Sequence, residues 1–470
     1  MSAMDRARAA LVAVLLLALT ACGGSGSNNL AGIEGTGFAQ GTITGFGSIF
    51  VNGIEFSTSG ASITIDGHAA TESDLRVGQV VTIAGQISSD GRTGTATSVT
   101  VNDELEGPIS SIDLAAGTLV AMGRTVHVDG GTSFAGGIGS LADLHLHDVV
   151  EVSGFVDASG DIRATRIELN GPGGEYEVTG TITAVDNTLK ILQIGTLSVD
   201  FSAAALNDLP GGAPAVGQLV EVKGTTFSAA GVLLGTSVEL AHEGQPENGA
   251  TTRIEGLVTR FVSSSDFDVD GQHVQTAIGT VFENGTAANL ALNVKVEVDG
   301  MFNGGVLTAT KVSFRSSTEI RLTAPITALD AGSASFTALG VVVQTSMLTR
   351  FEDKQSQPVS PFGFAQLRVG DYVEVRGSGG SLANSIAAAI VERDDPRNRI
   401  ELRGLVQGVA DPAFTILGVV IQTDAGTQFQ GDNGPISAAE FFAQANGRLV
   451  SVDGTLAGGI FVADEVEFED

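Results

Sequence analysis

Three histidines offer the most specific chemistry in the sequence. His145 and His147 are two apart, and positions i and i+2 on a strand share a face, so two imidazoles could grip one metal ion. His127 would be the third ligand from the same stretch of chain. Aligned with the related segments described below, His145 stands where Arg76 and Arg368 stand, and His147 replaces Gly78 and Gly370. Those are positions expected to face solvent, which favours a pair of exposed histidines over a metal centre. Carboxylates come next. Asp157 to Asp161, and Asp268, Asp270 and Gly271, put acids beside glycine turns, the raw material of weak calcium binding, but without a calcium-loop ligand pattern. Glu151, Glu221, Glu297 and Glu374 share one outward strand position, expected to be a solvated sheet face or else the lining of an acidic groove. Neither a G-x-S-x-G elbow, S-x-x-K, H-E-x-x-H, a Walker loop nor G-x-G-x-x-G is present. The sequence therefore nominates no catalytic residue, no cofactor and no nucleophile.

Composition narrows the partners. The 470 residues carry 54 acidic against 24 basic side chains, a net charge of −30. Nucleic-acid binding needs Lys and Arg to neutralise phosphates, so that class is excluded as an expectation. A single Cys rules out a disulfide framework and a cysteine-zinc fold. Hydrophobic residues reach 43%, enough for a core, and 63 glycines point to many tight turns.

The N-terminus reads as an export leader. Arg6 and Arg8 precede an apolar run, Ala9 to Leu19, too short to span a bilayer. The run ends in Leu19-Thr20-Ala21-Cys22, which resembles the bacterial lipoprotein signal, with Cys22 as the lipidated residue. Two or more acyl chains would give stable membrane attachment. Gly23 follows the Cys where, by that resemblance, an Asp would retain the protein in the inner membrane, so the outer membrane is the expected address.

The rest of the chain is one unit repeated about six times. Val77 to Gly85, Val216 to Gly224 and Val369 to Gly377 share a strand signature closed by Gly, with degenerate copies ending at Gly154, Gly300 and Gly454. The closing glycines are 69, 70, 76, 77 and 77 residues apart. Four copies contain Thr-x-Phe, at Thr132, Thr280, Thr349 and Thr427. Helix-start signatures begin at Thr71, Ser140, Thr286 and Ser437, each with a polar or acidic residue three places on and Leu or Phe at the fifth place. Alternating runs bounded by Gly and Asp supply the strands. Each unit thus reads as three strands, a helical turn and two strands.

That order resembles a small five-stranded OB-type barrel. Ala61 to Gly85, and Gly107 to Asp113 running on to Thr132 and Phe134, are similar to the family catalogued as domain of unknown function 5666, repeated in tandem in bacterial lipoproteins. The resemblance implies an all-β architecture of tandem barrels and no assigned activity. The expected organisation is a leader over 1–21, a tether over 22–37, and repeats over 38–104, 105–171, 172–249, 250–317, 318–397 and 398–470.

The leading functional expectation is a non-enzymatic envelope lipoprotein, a string of barrels serving as scaffold or presenting a binding surface. The alternative is a module that binds glycan, peptide or weakly held calcium through loops of the fifth and sixth repeats. There the distance from Phe to the closing Gly grows to 26 and 25 residues, from 20 and 18 in the second and fourth. A hydrolase is a third alternative, and a transmembrane β-barrel is disfavoured by the lack of Trp and near-lack of Tyr.

Overall fold

The alternating segments do form strands, and in every repeat the strands close on themselves. The computed structural model describes residues 36–469 apart from 47, 172, 242–243, 316–319, 381 and 432–433. Arg6, Arg8, Cys22 and the tether up to residue 35 lie outside these residues, whereas Thr36 and Gly37, expected as the end of the tether, open the first strand. In the first module the strands are β1 (Thr36–Gly45), β2 (Ile49–Val51), β3 (Ile54–Ser57), β4 (Ser62–Ile65), β5 (His68–Ala70), β6 (Val80–Ile87) and β7 (Thr93–Val101). β1 pairs β2, and β2 pairs β3, both antiparallel. β3 and β4 lie end to end along β7 and parallel to it. β7 returns antiparallel to β6, and β6 to β1. The ring is closed: five staves in the order 1-2-3-5-4, with a single 3₁₀ turn (Glu72–Asp74) between the third and fourth. The same ring closes again over 105–170, 176–240, 251–314, 320–394 and 400–469.

The repeated sequence signals each have a packing reason. The closing glycines sit at a β-bulge, where the fourth stave shifts register against the fifth. A Cβ there would stand 2.1 Å from the Thr95 carbonyl oxygen at Gly85, 2.5 Å from that of Arg163 at Gly154, and 2.0 Å from that of Val462 at Gly454. The Gly is required by close approach of a neighbouring backbone. Gly454→Ala should therefore cost about 1–3 kcal/mol, read as a lowered denaturation midpoint; an unchanged midpoint would show that the bulge relaxes.

Thr-x-Phe is a staple. The hydroxyls of Thr132, Thr280, Thr349 and Thr427 donate to the carbonyls of Ala164, Ala309, Ala388 and Ala463 on the fifth stave, at 2.7–2.8 Å. Phe134, Phe351 and Phe429 then enter their barrels. The helix-start signatures form reciprocal capping boxes at Thr71, Ser140, Thr286 and Ser437. Leu75, Leu144, Leu290 and Phe441, four places on, are all buried. Among the described residues no helix is long and apolar enough to cross a membrane.

The barrels are not strung as separate beads. Each first stave holds the second stave with its later half, which leaves an edge free on its earlier half. In the first module that edge, Gly37–Gln40, runs parallel to Thr251–Ile254 of the fourth module. The second and third modules pair antiparallel through Leu105 and Glu106 with Val178 and Glu177. The fifth and sixth do so through Arg321–Thr323 and Glu401–Arg403. Three sheets result, each shared by two barrels. The second and third modules share one apolar cluster, and so do the fifth and sixth. Phe38 of the first module is buried in the core of the fourth.

Candidate functional site

The histidines part company in the folded chain. His127, on the second module's third stave, meets Asp161 Oδ2 at 3.0 Å through Nε2. Among the described residues, His127, Asp157 and Asp161 form the one group of three His, Cys, Asp or Glu residues whose ligating atoms fall within 4.8 Å of each other. Its donors are already engaged. Asp157 Oδ1 accepts from the Ser159 and Asp161 amides, and Oδ2 takes Nε and Nη2 of Arg163 at 3.1 and 3.0 Å. The guanidinium supplies the charge a metal would bring. His145 is an exposed side chain beside Asp148. His147 holds φ = 72°, the left-handed backbone that Gly78, Gly217, Gly370 and Gly447 adopt at the matching turn. It is a turn residue, as the alignment with Gly78 and Gly370 implied.

The second acidic turn is also internally satisfied. Asp268 accepts from Arg260 Nε at 2.8 Å and from His273 Nδ1 at 3.0 Å. Burial pushes its carboxyl up, but these hydrogen bonds bring it below the usual value. Asp270 instead reaches across to the first module, where Gln40 Nε2 donates to Oδ2 at 2.6 Å.

The glutamate row departs from expectation. Glu221 and Glu297 are buried, at 9% and 2% exposure, and Glu151 and Glu374 are half-buried. The outward face of the fourth stave is covered by other barrels, so the row lies in junctions between modules. Strand register makes the crowding worse. Glu151 lies between Glu106 and Glu168, Glu297 opposite Glu255, and Glu374 opposite Glu392. Directly opposed like charges repel unless something intervenes.

Cations intervene at most of these places. Glu255 lies 2.8 Å from Lys295 and accepts the Thr42 amide of the first module at 3.1 Å. Burial pushes its carboxyl up, yet Lys295 and Arg315 overcome that and hold it at about 2. Glu297, facing it, is raised to about 7 because burial outweighs Arg315 and Arg253. Glu392 pairs with Arg376 and with Lys354. Three arginines extend the scheme across modules. Arg166 donates to the Val77 carbonyl at 3.1 Å, Arg350 to those of Thr165 and Gly131, and Arg376 to those of Gly130 and Thr132.

One junction has far more acid than base. Lys223 Nζ lies 3.1 Å from Glu177, 3.0 Å from Glu221 and 2.9 Å from the Asp66 carbonyl oxygen. Around it stand Asp66, Asp103 and Glu151. Burial first, and then its acidic neighbours, raise Asp66 to about 6 and Glu177 to about 9. Burial, Asp66 and Glu151 push Asp103 well up as well. Burial pulls the Lys223 ammonium down, but Glu177 and Glu221 more than offset it. The sequence flagged Glu151 and Glu221 here. It missed Asp66, Asp103 and Glu177, which occupy a hairpin tip, an inter-module link and a first stave with no motif of their own.

The longer loops of the fifth and sixth modules are tied down. In the fifth, Asp353 is buried against Arg393, accepts the Val359 amide at 2.7 Å, and Phe362 packs on Phe351. Deleting Asp353 to Val359 would remove these contacts, so this loop is part of the module's fold. In the sixth, the insertion leads into the helix Ala438–Gln444, whose Phe441 and Phe442 join Phe414, Phe429 and Phe468 over the barrel core. Two small cavities lie elsewhere, one between the first and fourth modules and one where modules one to four meet, at about 100 and 60 Å³. Organic-ligand sites run to roughly 300–1,000 Å³.

No curated protein matches this chain. Among solved structures, a chain described as drosophila Unr CSD456 is 15% identical, with 44% of this chain and 98% of that one covered and a TM-score of 0.14. The family profile of a domain of unknown function matches residues 40–100, 106–168, 255–313, 323–387 and 403–467. The third module falls between matches although its strands close the same ring. With more than half of its residues matched in five tandem segments, the chain belongs to the family described as domain of unknown function DUF5666.

Proposed function

We propose that the protein is a non-enzymatic, lipid-anchored scaffold of the bacterial cell envelope, made of six OB-type barrels joined into one body. The stave order 1-2-3-5-4 with a helical turn after the third stave supports the OB assignment. The observation that carries the reading is where the reactive side chains go. Buried arginines and a lysine reach backbone carbonyls of other barrels, and the two cavities described fall short of an organic ligand's size. A scaffold needs fixed geometry between modules, and buried charged hydrogen bonds across a junction provide it. The net charge of −30 keeps such a surface soluble and repels anionic partners. Cys22 serves as the lipid attachment point, with outer-membrane sorting favoured by Gly23.

Detergent-phase partitioning and fractionation of cells expressing wild type or Cys22→Ser test the anchor. Wild type is expected in the detergent phase and the variant in the aqueous phase or unprocessed. Equal recovery of both in detergent would overturn lipidation. Limited proteolysis tests the scaffold: junction cleavage that releases stable single barrels would overturn the single-body reading.

A further inference from the structure

Four modules build the same turn inside the third stave, just ahead of Phe in Thr-x-Phe. The Thr hydroxyl accepts the amide three residues before it: Asp129 to Thr132 at 3.2 Å, and Ala277 to Thr280, Ser346 to Thr349 and Asp424 to Thr427 at 2.9 Å each. Two residues stand at each tip: Gly130-Gly131, Ile278-Gly279, Met347-Leu348 and Ala425-Gly426.

In the second and fifth modules this tip touches another barrel. The carbonyls of Gly130 and Gly131 receive Arg376 and Arg350 of the fifth module. Met347 and Leu348 cover a hairpin tip of the first module: a Cβ on Gly53 would stand 3.1 Å from Leu348 Cδ2 and 3.7 Å from Met347 Cβ. In the fourth and sixth modules the tip is exposed. The sixth offers only Ala425 and Gly426. The fourth offers Ile278, fully exposed at 109%, with Val281 three places on also exposed. A lone apolar residue in water is ordinary, but this one occupies the position that a sibling module uses for docking.

The surface such a tip docks on also has a free copy. At the hairpin between second and third staves, Gly53, Gly123 and Gly418 lie against Leu348, Leu197 and Asn384 of other modules. Leu339-Gly340 of the fifth module is the same two-residue turn as Asn52-Gly53, with φ of 51° and 77° against 53° and 72°. Gly340 is exposed, with nothing within 4 Å of the place where a Cβ would stand.

We propose that Ile278 of one copy docks on the Leu339-Gly340 hairpin tip of a second copy of this chain. The contact repeats between molecules what Met347 and Leu348 make with Gly53 within one. Loop and hairpin belong to different modules, so the contact is heterologous and propagates head to tail instead of closing a pair. Ala277 to Thr280 and Ala338 to Val343 contain no charged residue, so the contact sets no like charges against each other. One turn buries far less than the roughly 1,200 Å² of a stable interface. The association is therefore weak and shows where copies are concentrated.

The test uses two full-length copies with different tags, produced together and treated in intact cells with a short bismaleimide. One copy carries Ala277→Cys and the other Val342→Cys, and a pair without added cysteines gives the background from Cys22. A cross-linked product containing both tags is expected. Ile278→Asp in the first copy should lower its yield about tenfold, the effect of losing one buried Ile side chain. Gly340→Asn in the second should lower it as well, because Asn keeps the left-handed backbone but fills the docking surface. Ala425→Asp should leave it unchanged. Absence of the mixed product, or a yield that ignores Ile278→Asp, would sink the proposal. Products formed only between two Ala277→Cys copies would do the same, since the loops would then meet each other. Binding of Cys22→Ser protein to phosphatidylglycerol vesicles that Ile278→Asp abolishes, with no mixed product, would assign the loop to lipid and defeat it too.

Discussion

Replacing Arg376 with Ala destabilises the folded chain by about 3–5 kcal/mol, the range for breaking a buried ion pair from one side. Arg376 is 3% exposed and sits in the fifth module's fourth stave. Its Nη1 donates to the Thr132 carbonyl at 2.7 Å and to that of Gly130 at 3.2 Å, both in the second module. Nη2 meets Glu392, and Nε lies 3.0 Å from Glu374. Burial pushes Glu392 up, but Arg376 and Lys354 hold it below the usual range. Without the guanidinium, Glu392 keeps its ion pair with Lys354 and the charge of Arg350, and two carbonyls of another module lose their donor. Denaturant titration of the full chain measures the loss. The double variant Arg376→Met, Glu392→Gln should recover part of it, because the uncompensated charge goes too. A loss below about 1 kcal/mol would mean that water replaces the guanidinium and that the junction is not sealed.

The protein is most stable near pH 4 and weakens steadily as pH rises towards 9. Asp66 is raised to about 6 and Glu177 to about 9, and Asp103 also lies well above its ordinary value. Unfolded, these groups titrate near pH 4. Between pH 4 and their folded values the native state binds more protons than the unfolded state, so stability falls as pH rises. The slope is at most about 1.4 kcal/mol per pH unit for each such carboxyl. On the acid side the sign reverses. Glu255, held at about 2, contributes stability above its unfolded value that is lost as pH drops from about 4 towards 2. Denaturation midpoints from about pH 2 to 9 should show the maximum. Glu177→Gln, which mimics the protonated acid, should flatten the alkaline limb, whereas Asp464→Asn at an exposed position should not. If both variants flatten it equally, general repulsion in a chain of charge −30 explains the slope and the junction does not.

Much of one barrel was legible in the order of residues. Gly454 marks a bulge because the Val462 carbonyl leaves no room for a Cβ, and Thr427 marks a staple because its hydroxyl reaches the Ala463 carbonyl. Ser437 and Glu440 cap one helix from both ends of a four-residue pattern. These constraints act within a module, between neighbouring staves or a few residues apart, so each copy of the unit repeats them in its own sequence. Even the third module, which lacks Thr-x-Phe, closes the same ring, since alternation and turn glycines are sufficient.

Tertiary structure alone decided which barrel meets which. Period-two alternation assigns Glu221 and Glu297 to the outside of a barrel, and that assignment holds. It cannot distinguish an outside facing water from an outside facing another barrel. The first module's Gly37–Gln40 joins the fourth module more than two hundred residues away rather than its successor in the chain. Such pairings depend on the shape and charge of whole surfaces, which no short stretch of sequence encodes. Asp66, Asp103 and Glu177, ordinary acids in three separate segments, become one buried cluster only when the barrels come together.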